Sequence, residues 1–155
     1  MKKSLEQYAL AAEIIGAIAV VISLVYVGTS VDQNTNAIKV SNHQALVAMD
    51  MEKNDWLRDS EFAAIHLIAM DDVGKLSPVQ RIQYSTFVAN TFNAWEFAFI
   101  TYNNGMMDGN IWDGWDGFYR VVLEEKSHQL FWREGREGFS PEFRSYVDSV
   151  LAAID

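Results

Sequence analysis

Residues 11–31 read AAEIIGAIAVVISLVYVGTSV, and this stretch decides the architecture. Residues 14–31 are eighteen positions without a charge, dense in Ile, Val, Leu and Ala. At about 1.5 Å rise per residue a helix here reaches roughly 27 Å, close to the ~30 Å of bilayer hydrocarbon. Tyr8 to Ala12 add length, Glu13 falls near one interface, and Tyr8 and Tyr26 stand towards the two ends, where interfacial aromatics collect. The segment predicts one transmembrane helix over about 9–30. A cleaved signal peptide is the first alternative, because Gly28 and Ser30 supply small residues for a peptidase. The apolar run is longer than the usual 7–15 residues of such peptides, so retention is expected. A core helix of a soluble protein is the second, and the length and lack of a polar face argue against it.

Ala12, Gly16, Ala19 and Ser23 recur at helical spacing along this segment. Small residues on one face let helix backbones approach closely in lipid, so the stripe predicts helix packing with another copy or another membrane subunit. Ala and Gly are also simply common in spans. Lys2 and Lys3 precede the segment, and Lys39 follows it alone within ten residues. The positive-inside rule then places the amino terminus in the cytoplasm and the remainder outside, in the periplasm of a bacterium.

The chain has 155 residues, of which 50% are hydrophobic and 13% aromatic, enough for one domain with a core. Disorder is excluded by that apolar content. A formal charge of −9 with no basic patch excludes a nucleic-acid partner and electrostatic binding of the domain to anionic lipid. There is no cysteine, hence no disulfide, thiolate metal site or cysteine nucleophile. Membrane lipid and other membrane subunits or copies of the chain are the expected partners, and no cofactor is expected.

Working outward, residues 30–59 lack Gly and Pro, so the span is expected to continue, or to be closely followed by a second helix, to about Trp56. Val31, Ile38, Ala45 and Met49, with Leu46 and Trp56 beside them, form its expected apolar side; Gln33, Asn34, Asn36, Asn42 and Gln44 form the polar side. Ser60 opens a short helix that ends before "DDVGK". Ser77-Pro78-Val79-Gln80 is a capping box with proline at the first helical position, and Asn104-Gly105 ends that helix. Ser140-Pro141 opens the last. No period-2 alternation suggests strands. The expected fold is all-α: a membrane anchor over 1–31 and a soluble domain over 32–155, together a bundle of about five helices behind one span.

"MMDGNIWDGWDG", residues 106–117, is the oddest stretch. Read as a calcium loop from Asp108 it puts Trp112 at position 5, Asp113 where glycine is required and Tyr119 where glutamate is required, so that reading fails. A helix fits better. Ile111, Trp115, Phe118 and Val122 form its expected core stripe, Asp108 its N-cap, and Asp113 and Asp116 lie early where the dipole favours anions. Gly114 and Gly117 then imply another element packed closely against them.

Chemistry is sparse. His43, His66 and His128 fall on three predicted helices, and none is read as part of an H-x-x-x-H or E-x-x-H pair on one face; surface or satisfied roles are expected. Glu96, amid Trp95, Phe97 and Phe99, is expected to be desolvated. It serves either as an acid/base or metal ligand, or, better favoured, as a partner of Arg120, Arg133 or Arg136. No P-loop, dinucleotide fingerprint, nucleophile elbow or HExxH occurs. No catalytic, cofactor or metal residue is assigned. A candidate pocket would lie among Trp95, Trp112, Trp115 and Trp132, with Glu96 as its polar contact.

Three motifs taken together, "IIGAIAVVISLVYVGTSVDQNTNAI", "NAWEFAFITYNNGMMDGNIWDGW" and "FWREGREGFSPEFRSYVD", cover nearly the whole chain. In their order they resemble a widespread set of small bacterial proteins of unassigned function with one amino-terminal membrane helix and an α-helical domain. The resemblance implies the bacterial inner membrane and supplies no activity, cofactor or catalytic residue. That set often carries arginines just after the span, implying a carboxy terminus inside; here Asp32 stands there, with Lys39 further on. The expected role is a non-enzymatic membrane-tethered interaction protein, self-associating or an accessory subunit of a larger complex. The alternative is a tethered sensor or small-molecule binding module, and an enzyme or di-metal bundle using Glu96 and a histidine ranks last.

Overall fold

Ser77 starts the helix around which the carboxy-terminal part packs. Its hydroxyl accepts from the Gln80 N–H while the Gln80 side chain accepts from the Ser77 N–H, and Pro78 takes the first helical position. The helix ends in a Schellman turn: Gly105 adopts φ +71°, and the Gly105 and Met106 N–H groups reach back to the carbonyls of Tyr102 and Thr101. The computed structural model describes residues 2–154, and side-chain surroundings over 7–154. The side chains of Lys2 and Lys3, on which the expected orientation rests, lie outside the described residues.

Among the described residues six helices result: α1 Lys2–Arg58, α2 Ser60–Asp72, α3 Pro78–Asn103, α4 Gly109–Leu123, α5 Lys126–Gly135 and α6 Pro141–Ile154, with single 3-10 turns at Val73–Lys75 and Arg136–Gly138. Among the described residues there is no strand. The chain divides into two compact units, residues 1–38 and 39–155.

The first unit is helix alone. Every side chain over residues 7–29 is exposed, and the segment is long and apolar enough to cross a membrane. Its hydroxyls bond to their own helix: Ser23 donates to the Ala19 carbonyl at 2.8 Å and Thr29 to the Tyr26 carbonyl at 2.9 Å. Nothing approaches the place where Gly16 would carry a Cβ.

In the second unit α3 is central. Tyr84, Phe87, Val88, Thr91, Phe92, Trp95, Ala98 and Thr101 are buried along it, and the two threonines bond back to carbonyls one turn earlier. Rings fill the core. Trp95 stacks on Tyr119 at 5.6 Å and meets Phe143 edge-on, while Trp132 stacks on Phe92 at 5.0 Å. Such pairs contribute roughly 0.5–1.5 kcal/mol each beyond their burial. Both indole N–H groups end on carboxylates: Trp95 on Asp116 at 3.0 Å and Trp132 on Asp148 at 2.9 Å.

Several expectations are corrected. On α4 the buried stripe is Trp112, Asp116, Tyr119 and Leu123, one residue on from Ile111, Trp115, Phe118 and Val122, and Phe118 is 43% exposed. The rotation buries a carboxylate, which is tolerated because Trp95, Arg120 and Tyr146 all donate to it. Gly114 and Gly117 face open space, so no element packs against them. Asp108 takes the N-cap position, but its carboxylate bonds to Lys39 at 2.7 Å instead of capping the helix. Ser60 opens α2 as expected, with Asp59 as its cap accepting from the Phe62 N–H, but the helix runs on through Asp72 instead of ending before "DDVGK".

α1 is also turned relative to expectation. Val31, Ile38 and Met49 are exposed, and Ala45 is only partly covered. Within residues 39–58 the covered face carries Lys39, Asn42, Leu46, Asp50, Lys53 and Leu57. Leu46 and Trp56 pack into the core as expected, and Asn42 donates to the Met106 carbonyl, so polar contacts join them in holding this helix.

Candidate functional site

That covered face of α1 ends at a half-open cavity of about 200 Å³. α1 supplies Lys53, Asn54 and Leu57; α2 supplies His66; α3 supplies Phe87 and Thr91, one turn apart. Phe118 and Val122 come from α4, again one turn apart, Glu125 is the N-cap of α5, and His128 lies in that helix's first turn.

Lys53 is the unusual member, with its side chain only 8% exposed. Its ammonium lies 3.0 Å from Asp50 Oδ1 and 5.0 Å over the Phe118 ring, with Tyr119 at 5.7 Å. Removing an ammonium from water costs several kcal/mol, which a nearby carboxylate and two ring faces offset in part. Asp50 Oδ2 accepts from Asn54 at 2.9 Å, but Oδ1 has no aligned hydrogen bond, so its contact with Lys53 is charge attraction.

Across the cavity, His128 Nδ1 lies 3.1 Å from Glu125 Oε2, off the hydrogen-bond axis. His128 holds the Glu125 carboxyl below the usual carboxylate range, against the opposing effect of burial. Burial lowers the His66 pKa and so favours its neutral imidazole, with Glu125 and His128 acting in opposite senses on it. His66 Nδ1 is buried with no partner. Orphan atoms of this kind cost about 1–3 kcal/mol each unless water or a ligand satisfies them. Behind the wall Tyr84 and Ser127 share a hydrogen bond at 2.9 Å, and burial pushes the Tyr84 hydroxyl up to about 12.

The cavity thus combines a cation, a carboxylate, a neutral imidazole and apolar side walls in a space that fits a small molecule. Among the described residues no three His, Asp or Glu side chains are placed to hold a metal ion.

The residues expected to form a pocket lie elsewhere. Trp95, Trp132 and Trp112 are buried against other rings, Trp112 stacking on Tyr102 at 5.0 Å. Trp115 is half-buried beside a wider hollow that also includes His43, Asp50 and Phe118. Glu96 pairs with none of the three arginines named for it: its Oε1 accepts the Ser140 N–H at 2.7 Å, at the start of α6, while Arg120 binds Asp116 and Arg136 binds Asp148. Ala12, Ala19 and Ser23 are all exposed on α1.

Of the three histidines, His66 and His128 are brought together and His43 is not. The reading that no E-x-x-H pair exists is corrected, because Glu125 and His128 have that spacing. It is the one local signal that pointed to the cavity; Lys53 carried none. No family model matches the chain, and neither a curated protein nor a solved structure shows significant similarity to it.

Proposed function

We propose that this chain is a single-pass membrane-anchored protein that works by association, either with copies of itself or as an accessory subunit of a larger membrane complex. One observation carries the reading: the first unit of α1 exposes its apolar residues on every side. Ile14, Ile15, Ile18, Val20, Val21, Ile22, Leu24, Val25 and Val27 are each 52–67% exposed. At roughly 1.5–3 kcal/mol per fully buried residue, leaving them in water forgoes on the order of 10 kcal/mol. Lipid removes that cost, and the helix satisfies all its own backbone groups there. The stripe of Ala12, Gly16, Ala19 and Ser23 is the surface on which a second helix would pack. By the charge rule the acidic domain lies on the exterior side, in the periplasm if the membrane is the bacterial inner one.

Extraction from native membranes followed by sizing and mass spectrometry of co-purifying chains tests this. A defined oligomer or complex, weakened by Gly16→Leu, is the expected result. A strictly monomeric protein indifferent to that substitution would refute it. The cavity at Lys53 favours a second reading, a tethered sensor or small-molecule binding module, which is compatible with the first.

A further inference from the structure

We infer that the cavity between α1, α2, α3, α4 and α5 binds a small zwitterion of amino-acid size, its carboxylate end at Lys53 and its ammonium end at Glu125. The inference rests on the binding-module reading and adds the chemical class.

The argument is one of complementarity. A cavity of about 200 Å³ holds roughly seven water-sized groups, the scale of a short amino acid. Its two ionised groups are opposite in sign and come from different elements, Lys53 on α1 and Glu125 at the start of α5. A simple anion would pair with Lys53 and be repelled by Glu125; a simple amine would meet the reverse. Only a molecule carrying both charges satisfies both ends. Lys53 has three donors, and its contact with Asp50 Oδ1 is a charge attraction that holds none of them in an aligned hydrogen bond, so donor capacity remains. On the opposite side the Glu125 side chain is 30% exposed at the cavity wall and presents a carboxylate there. Leu57, Phe87 and Val122 provide the apolar wall for a short aliphatic portion.

The test is calorimetric titration of the full chain in detergent with L-valine and γ-aminobutyrate. Isobutyrate and isobutylamine serve as one-ended controls. Saturable binding of an amino acid, at least about tenfold tighter than either control, is expected, because each control lacks one charge-assisted bond. Lys53→Met and Glu125→Gln should each weaken that binding by about tenfold or more. Circular dichroism checks that the variants fold, and the ligand comparison on the unaltered protein decides the matter if they do not. A one-ended control that binds as tightly as the amino acids overturns the zwitterion and leaves the binding module standing. Silence from all four probes at millimolar concentration also overturns it. A library of uncharged fragments then decides the broader reading: a ligand displaced by Lys53→Met keeps it, and no ligand at all removes it.

Discussion

Asp116 should be the most costly single polar residue to remove from the helical domain. Its Oδ1 accepts from Trp95 Nε1 at 3.0 Å and from the Tyr146 hydroxyl, and its Oδ2 accepts from Arg120 Nε at 2.6 Å. Arg120 also donates to the Tyr146 oxygen at 2.7 Å, closing a ring of three side chains. In Asp116→Ala the Trp95 N–H, on a ring 1% exposed, loses its acceptor and no water replaces it, at about 1–3 kcal/mol. The Tyr146 hydroxyl loses its acceptor too, adding about 1 kcal/mol. Arg120, 45% exposed, rehydrates, so its ion pair contributes at most about 1 kcal/mol. The total is about 2–5 kcal/mol. Asp116→Asn keeps an acceptor for the indole and should cost about 1–2 kcal/mol. Asp113→Ala, exposed on the same helix, should stay within about 0.5 kcal/mol of the parent. Urea denaturation followed by tryptophan fluorescence reads all three. If Asp116→Ala costs no more than Asp113→Ala, or Phe118→Ala costs more than Tyr119→Ala, the buried face assigned to α4 is wrong.

Gly114→Ala and Gly117→Ala should each stabilise the domain by about 0.5–1 kcal/mol, because both are exposed helical positions with open space at the Cβ; thermal melts would detect the gain. At high pH, burial of Tyr84 favours its neutral form, with the hydroxyl pushed up to about 12 from 10.0. The associated stability is complete below pH 10 and is lost as pH rises through 12. Tyr84 should account for about 2–3 kcal/mol of the loss across that window, so Tyr84→Phe should shrink the step in a stability–pH curve by that amount, the remainder coming from Tyr119 and Tyr146, whose hydroxyls burial also pushes up. Glu96→Ala frees the Ser140 N–H at the start of α6 and should cost about 1–2 kcal/mol, with faster amide exchange confined to the first turn of that helix.

Features written in neighbouring residues were legible in the sequence, and those written across the fold were not. Ser77, Pro78, Gln80 and Gly105 act within a few positions of one another, and the helix they bound was read correctly at both ends. The apolar segment over 14–31 is likewise local. α4 misled because two stripes one residue apart compete on it. The stripe with Ile111, Trp115, Phe118 and Val122 is wholly apolar, whereas the true one contains Asp116. Its acceptability depends on Trp95 and Tyr146, which are 21 and 30 residues away. The same holds for α1, where Lys39 and Asn42 face inward because Asp108 and the Met106 carbonyl await them. The cavity draws on positions from 53 to 128, and only Glu125 with His128 stood close enough to be noticed.

The domain therefore buries charge in two ways, and the difference bears on function. Around Asp116 both carboxylate oxygens have donors, the indole and phenol that supply them are themselves packed, and the arrangement is closed. Such a network fixes the rotation of α4 and needs nothing from outside the chain. Around Lys53 the accounts do not close. Asp50 Oδ1, Glu125 Oε2 and His66 Nδ1 are buried without aligned partners. A cavity adjoins them. A core built only for stability would place a methionine or leucine where Lys53 stands, since a buried ion pair seldom stabilises more than a well-packed apolar side chain. Local violations of this kind concentrate where a protein meets a ligand. The fully satisfied carboxylate is thus architecture, whereas Lys53 stands at a cavity wall, where a small molecule would meet its charge.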